Sequence, residues 1–265
     1  MKWCRFQSGR TTTYGIIDDT TVTEVTGNPF ESYAKTATTT QLSRVKLLVP
    51  VIPPTFYAAG VNYREHVTEM AHRRGVKPEF PPQADVGYRA NNALVATDEP
   101  IVIPKDATQE VQYEGELVVV IGKRCKRISE ARALDCVFGY TICWDISQRD
   151  PWGRNRQNTR NIRKGFDTFT ALGPWIVTRD EIAEPQDLTI EVEHNGAKAM
   201  TAHTSDMICG LREHIRFLSG VLTLRPGDLI TTGTPAGVRK LAAGDRLTGR
   251  IEKIGEMSLC VAAET

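Results

Sequence analysis

The sequence has no apolar run approaching the roughly 20 residues that a membrane-spanning helix needs, so no membrane partner is expected. Its first residues, MKWCRFQSGRTTTYGIID, lack the apolar segment of a secretory signal, and the expected location is cytoplasmic. Paired cysteine motifs are absent as well. Cys4, Cys125, Cys136, Cys143, Cys209 and Cys260 lie apart with no Cys-x-x-Cys, which argues against a zinc knuckle and against a disulfide scaffold. There is no Asn-x-Ser/Thr acceptor, no repeat and no low-complexity tract. Neither sign of charge dominates, since 33 Lys and Arg face 32 Asp and Glu for a formal net charge of +1. That balance provides no field for neutralising many phosphates, and nucleic acid is not expected as a partner.

What is present is an ordinary globular composition, 40% apolar and 25% charged over 265 residues. Such a length suits one domain of about 200 residues with a small appendage. RTTTYGIID and TTVTEVTG are rich in Thr and Val with glycine punctuation, and read as strands of a small β-rich domain over 1–52. Pro53 and Pro54 then break the chain before a larger catalytic domain over 53–265. NYREHVTEMAHRRG predicts a short helix stopped at Gly75. Pro78, Pro81 and Pro82 make 76–87 a loop, ALVATDEPIVIPKD suits edge strands, and QYEGELVVVIGK contains a buried strand. ISEARALDCVFGYTICWDIS predicts a helix capped by Ser129, then a strand from Tyr140 to Ile146. Residues 147–163 read as an irregular basic loop. TALGPWIVT, LTIEVEHNG and SLCVAA are further strand candidates, with Asn195-Gly196 as a hairpin turn. SDMICGLREHIRFLSG predicts a helix with Ser205 as cap and Gly220 as stop. Strands outnumber helices without alternating with them, so a β-rich α+β fold is expected rather than a doubly wound one.

The chemistry concentrates in Tyr113-Glu114-Gly115-Glu116-Leu117-Val118. Residues two apart on a strand share a face, so Glu114 and Glu116 stand side by side at the head of an apolar strand. Two such carboxylates repel and lose hydration unless a cation or a proton compensates, and oxygen ligands favour a hard ion over zinc. A solvated strand edge would also carry Glu-x-Glu. Asp145 ends another apolar segment and adds a third carboxylate, although Asp is also a common turn former there. His66 and Glu69 lie three apart on the predicted helix and share a face, which suits a general-base dyad as well as an exposed surface pair. His72, His194, His203 and His214 show no such pattern and read as surface residues. Lys164 closes a basic run that fits a solvated face, or a cation for a substrate carboxylate. Thr232-Gly233-Thr234-Pro235-Ala236-Gly237 is a turn able to bind an anion, without the Gly-Lys-Ser/Thr of a P-loop.

These segments, in this order, resemble the fumarylacetoacetate hydrolase family over about residues 55 to 262. GVNYREHVTE is similar to its G-x-N-Y-x-x-H-x-x-E segment and YEGELVVVIGK to its metal strand. FGYTICWDIS matches the third-ligand strand, KGFDTFTALGPWIVT the lysine segment, and RPGDLITTGTPAGV the closing turn. The resemblance implies a mixed β-sandwich roll, a small N-terminal β domain and a homodimer. It also implies Mg²⁺ (or Mn²⁺) held by Glu114, Glu116 and Asp145, with His66, Glu69 and Lys164 catalytic and Tyr63, Arg89, Arg149 and Thr234 contacting a small 2-oxo acid. Three stretches depart from the family pattern: Trp144 stands where many members have Asn, Ser147-Gln148-Arg149-Asp150-Pro151 replaces a more usual Thr-Ala-Arg-Asp, and Arg89 falls where many carry a lysine. The activity expected from the resemblance is hydrolysis of a C–C bond in an acylpyruvate (2,4-dioxo acid). Decarboxylation or isomerisation of a related 2-oxo or 2-hydroxydienoic acid is the first alternative, and a catalytically silent protein of the same fold the second. A nucleic-acid module built on the basic 149–164 stretch has no stacking aromatics or fold motif to accompany it.

Overall fold

The computed structural model describes residues 1–105, 110–149 and 161–265. Two sheets dominate. The larger runs from Tyr33–Gln41 through Thr21–Gly27, Thr11–Asp18 and Lys2–Ser8 to Thr170–Thr178, then Val137–Asp145, Gly115–Ile121, Leu229–Thr231, Phe56–Ala59 and Val86–Tyr88. The smaller orders Ala197–His203, Thr189–His194, Arg246–Ile251, Gly255–Ala263 and Ile101–Ile103. Most pairings are antiparallel, but Leu229–Thr231 runs parallel to Phe56–Ala59, and Gly255–Ala263 parallel to Ile101–Ile103. The fold is therefore a strand-rich mixed α+β roll, as the scarcity of helical periodicity predicts.

The four N-terminal strands extend the large sheet directly, because Lys2 and Trp3 pair with Val177 and Ile176. Their Thr-rich sequence suits a sheet with one wet face, and Trp3, Ile16 and Val25 bury the other against Val118, Val120 and Ile176. The central strands are wholly buried: every residue from Gly115 to Ile121 lies inside. A strand covered on both faces reads as a continuous Val/Ile run, which is why this one shows no polar alternation.

Trp144 fills the space between the sheets. A Cβ on Gly249 would sit 2.7 Å from its indole, so the facing strand must carry glycine there. Strand alternation turns Asp145 to the opposite face from this indole, and the position of Trp144 is a packing position.

Helix α1 (Arg64–Arg74) ends at Gly75, whose φ of 66° and N–H bonds to Ala71 and His72 carbonyls make the expected stop. Helix α2 (Leu211–Val221) starts later than its sequence implies. Ser205 lies in a separate turn, Thr204–Asp206, and the Gln186 side chain accepts the Leu211 N–H from 25 residues away. Gly220 lies inside this helix rather than ending it. Ser129 makes no capping bond, and Glu130–Cys136 coils as a 3₁₀ helix. The Asn195-Gly196 hairpin turn forms with both residues at positive φ, 55° and 75°. His214 is buried, not exposed: its Nδ1 lies 3.0 Å from the carbonyl of Gly210, the residue that precedes α2. Ser147–Gln148 pairs with Val111–Gln112 where an irregular loop was expected.

Candidate active site

The register of Gly115–Ile121 against Val137–Asp145 builds the centre. Gly115 faces Trp144 and Glu116 faces Cys143, and the Asp145 N–H bonds the Glu114 carbonyl at 2.8 Å. Glu114 and Asp145 thus stand opposite one another, while Glu116 follows Glu114 on the same face. The three buried carboxylates offer oxygens within 4.8 Å of one another.

Cations from three other segments converge on them. Lys164, on the turn Ile162–Lys164, places Nζ 2.6 Å from Glu114 Oε2 and 2.7 Å from Asp145 Oδ2. Arg89 grips Asp145 as a fork, Nε to Oδ1 at 2.8 Å and Nη2 to Oδ2 at 2.5 Å. Arg149 bonds Glu114 through Nη2 and Gln112 through Nε. Among the described residues, Glu116 receives only the Gly233 N–H, at 2.8 Å on Oε2. Gly233 must be glycine there: its φ is 87°, and a Cβ would approach Asn62 to 2.8 Å.

The electrostatics separate two carboxylates two positions apart in the chain. Burial works to raise the Glu114 carboxyl, but Lys164 and Arg149 outweigh it and hold the group far below the usual carboxylate range. Burial also dominates at Glu116, where repulsion from Asp145 and Glu114 adds to it and the carboxyl is pushed up to about 8. Asp145 is lowered, since Arg89 and Lys164 overcome its burial. The donor set fits a hard divalent cation: oxygen only, three carboxylates, one of them protonated at neutral pH because burial and the other two carboxylates outweigh Lys164 and Arg89.

A cavity of about 160 Å³ opens beside the cluster. Its described lining carries Arg74, Arg89, Arg149, Arg163 and Lys164 against the single carboxylate of Glu114, a wall suited to an anion. His66 and Thr234 also line it, and both are buried with Nδ1 and Oγ1 lacking a hydrogen-bond partner among the described residues. Burial lowers the His66 pKa, so the imidazole is neutral at physiological pH. Its Nδ1 lies 4.0 Å from Glu69 Oε2, beyond hydrogen-bond reach. Glu69 is instead held by Arg73 and by the Gly237 N–H.

Not every expected residue reaches the cavity. Tyr63 is buried in the hydrophobic core and is absent from the lining. The neighbouring Asn62 fixes this, because its side chain bonds the Cys209 and Thr232 carbonyls and the Cys209 N–H. Arg89 and Arg149 line the wall, but their guanidinium groups are engaged by Asp145 and Glu114. Met70, Arg74 and Arg163 line it without having been singled out; the four-residue spacing of 66, 70 and 74 on a helix was the available signal for the first two. Asp150 and Pro151, and most of the basic 149–164 stretch, lie outside the described residues.

The family model for the C-terminal domain of fumarylacetoacetate (FAA) hydrolase matches residues 55–262, and a second, for the N-terminal region of Rv2993c-like proteins, matches 1–50. The chain belongs to the fumarylacetoacetate hydrolase family. A maleylpyruvate hydrolase from Aquipseudomonas alcaligenes is 33% identical over 98% of this chain and 99% of its own length. Among solved structures, the 2-hydroxyhepta-2,4-diene-1,7-dioate isomerase of Mycobacterium marinum superposes with a TM-score of 0.85 at 35% identity, covering 100% of this chain and 99% of that one. The maleylpyruvate hydrolase of Sphingobium sp. SYK-6 in complex with manganese(II) and pyruvate reaches 0.81 at 27% identity, with full coverage of both chains. No helix among the described residues is long and apolar enough to cross a membrane.

Proposed function

We propose that this protein is a divalent-metal-dependent hydrolase that cleaves a C–C bond in an acylpyruvate, a 2,4-dioxo acid. The observation that carries this reading is the buried trio Glu114, Glu116 and Asp145 beside a cavity with a cationic wall, which Glu114 reaches. Once Glu116 ionises on metal binding, the three carboxylates offset the three cations in direct contact with the cluster, Lys164, Arg89 and Arg149. A divalent cation and a dianionic enolate would add equal and opposite charge, leaving the site balanced when the product anion forms. Mg²⁺ or Mn²⁺ would be held by the three carboxylates and would polarise the keto group when bound.

The protein's own groups carry the rest. His66, neutral and buried, takes a proton from water in the cavity, and Glu69 Oε2 stabilises the resulting imidazolium once the 4.0 Å gap closes. The water oxygen bonds to the distal carbonyl carbon, the adjoining C–C bond breaks, and its electron pair passes to the pyruvate fragment, which regains the proton from His66. Lys164 Nζ offsets the charge developing on that fragment, and the unpartnered Thr234 hydroxyl donates to a substrate oxygen. The protein acts as a cytoplasmic homodimer in this reading.

The open His66–Glu69 gap favours one second reading, isomerisation or decarboxylation of a related acid, which needs no activated water. Turnover of acetylpyruvate, oxaloacetate and a 2-hydroxydienoate, with Mg²⁺ or Mn²⁺ and with EDTA, distinguishes the two. NMR should show pyruvate and acetate from acetylpyruvate only when metal is present. Metal-dependent conversion of oxaloacetate or the dienoate alone would overturn hydrolysis in favour of the second reading, and silence across the panel would defeat both.

A further inference from the structure

One peptide plane, between Thr232 and Gly233, connects the carboxylate cluster to the start of α1. Its N–H donates to Glu116 Oε2 at 2.8 Å, and its C=O, on the opposite edge of the plane, accepts Asn62 Nδ2 at 2.8 Å. Nothing in Gly233 itself fixes which edge faces Glu116. Its φ is 87°, and glycine takes either sign of φ about equally readily, so the plane can turn over through the Thr232 ψ and the Gly233 φ. Turned over, it would aim a carbonyl oxygen at a buried carboxylate. Thr232 is anchored to the Leu117 carbonyl by its N–H at 3.1 Å and its Oγ1 at 2.9 Å, but both bonds precede ψ and leave the plane free to rotate. Asn62 supplies the missing hold. It is buried, its Nδ2 also donates to the Cys209 carbonyl at 3.0 Å, and its Oδ1 accepts the Cys209 N–H at 2.9 Å. Those bonds fix which end of the amide is the donor: exchanging Oδ1 and Nδ2 would set donor against donor at the Cys209 N–H and oxygen against oxygen at Thr232.

We propose that Asn62 is a positioning residue for Glu116: it locks the Thr232–Gly233 peptide with the N–H towards the carboxylate, so that Glu116 meets the metal in one orientation. This rests on the metal centre proposed above and adds to it a residue that touches neither metal nor substrate. Asn62 acts from 170 residues away in the chain, and it stands just before α1, the helix that carries His66. One buried amide therefore ties the helix of the base to the turn that holds a metal carboxylate, which sets the two parts of the centre in a common frame.

The test titrates Mn²⁺ into the whole chelator-treated protein by calorimetry and follows amide exchange in the metal-free protein by NMR. Asn62→Ala should weaken Mn²⁺ binding by at least about tenfold. In the same variant the Gly233 amide should exchange at least about a hundredfold faster, while core amides stay protected. Thr232→Val is the comparison, because it removes a buried bond from the same turn, to Leu117, and leaves the plane gripped by Asn62. Its Mn²⁺ affinity should stay within about threefold of the wild type. Equal weakening in the two variants would mean a general loosening of the turn and would overturn the role of Asn62. A folded Asn62→Ala that binds Mn²⁺ as the wild type does would overturn it too. If Asn62→Ala does not fold, the metal-free wild type decides. One opening should free both groups, so the Asn62 side-chain amide and the Gly233 amide should show protection factors within about tenfold of each other. A Gly233 amide that exchanges freely while that of Asn62 stays protected would contradict the proposal. All these outcomes leave the metal centre standing, whereas failure of the wild type to bind Mn²⁺ would sink the metal reading and this inference together.

Discussion

Val118–Ile121 and Glu114–Glu116 are neighbouring stretches of one chain segment, both buried, and they act on stability in opposite directions. The first places four apolar side chains in the core, each contributing about 1.5–3 kcal/mol by burial. The second buries two carboxylates, and removing each ion from water costs several kcal/mol unless cations repay it. Lys164 and Arg149 do so for Glu114, and nothing comparable does for Glu116. One half of the segment holds the protein together; the other is a strained charge cluster that the sheets can carry because they are stable elsewhere. A ligand that relieves the cluster should bind there, and this is the physical content of the proposed metal site.

The largest expected effect separates the halves by activity. Asp145→Asn should lower turnover of the correct substrate by at least about a thousandfold, because it removes a metal oxygen and leaves Arg89 and Lys164 short of a partner. Steady-state kinetics on folded protein would check this, and retention of more than a tenth of wild-type turnover would contradict it. A smaller effect separates them by stability. Val119→Ala should destabilise by about 2 kcal/mol in urea unfolding. Glu116→Gln, with EDTA present, should cost less than about 0.5 kcal/mol or stabilise, since it makes permanent the neutral state that the fold already prefers. A comparable loss from both would erase the contrast.

The smallest effect is in pH. The Glu116 carboxyl lies at about 8 in the fold, above its ordinary value of 4.5. Its contribution to stability is therefore fully present below about pH 4.5 and is lost as pH rises through about 8. In EDTA, the melting temperature of the wild type should fall between pH 6 and 8.5 by more than that of Glu116→Gln. Parallel curves would mean that Glu116 is ionised throughout.

Much of this was legible in the residues, for local reasons. Strand alternation alone puts Glu114 and Glu116 on one face, Gly75 alone stops α1, and Asn195-Gly196 alone turns a hairpin. What the sequence does not show is long-range charge. Arg89 and Asp145 are 56 residues apart, and no spacing rule announces their fork. The same holds for Gln186, which caps α2 from a different segment and so moves its start away from Ser205. A motif match says nothing about which way a side chain turns, so the burial of Tyr63 in the core beside the bonded Asn62 was not legible in GVNYREHVTE. Trp144 stands beside a site carboxylate yet faces the other way, a fact available from alternation once the strand is known.

The most direct test is a calorimetric titration of Mn²⁺ into chelator-treated protein at pH 7, repeated in buffers of different ionisation enthalpy. The account predicts one site per chain, with close to one proton released as Glu116 ionises, and no such site in Asp145→Asn. Absence of binding, or binding unchanged by Asp145→Asn, would contradict it.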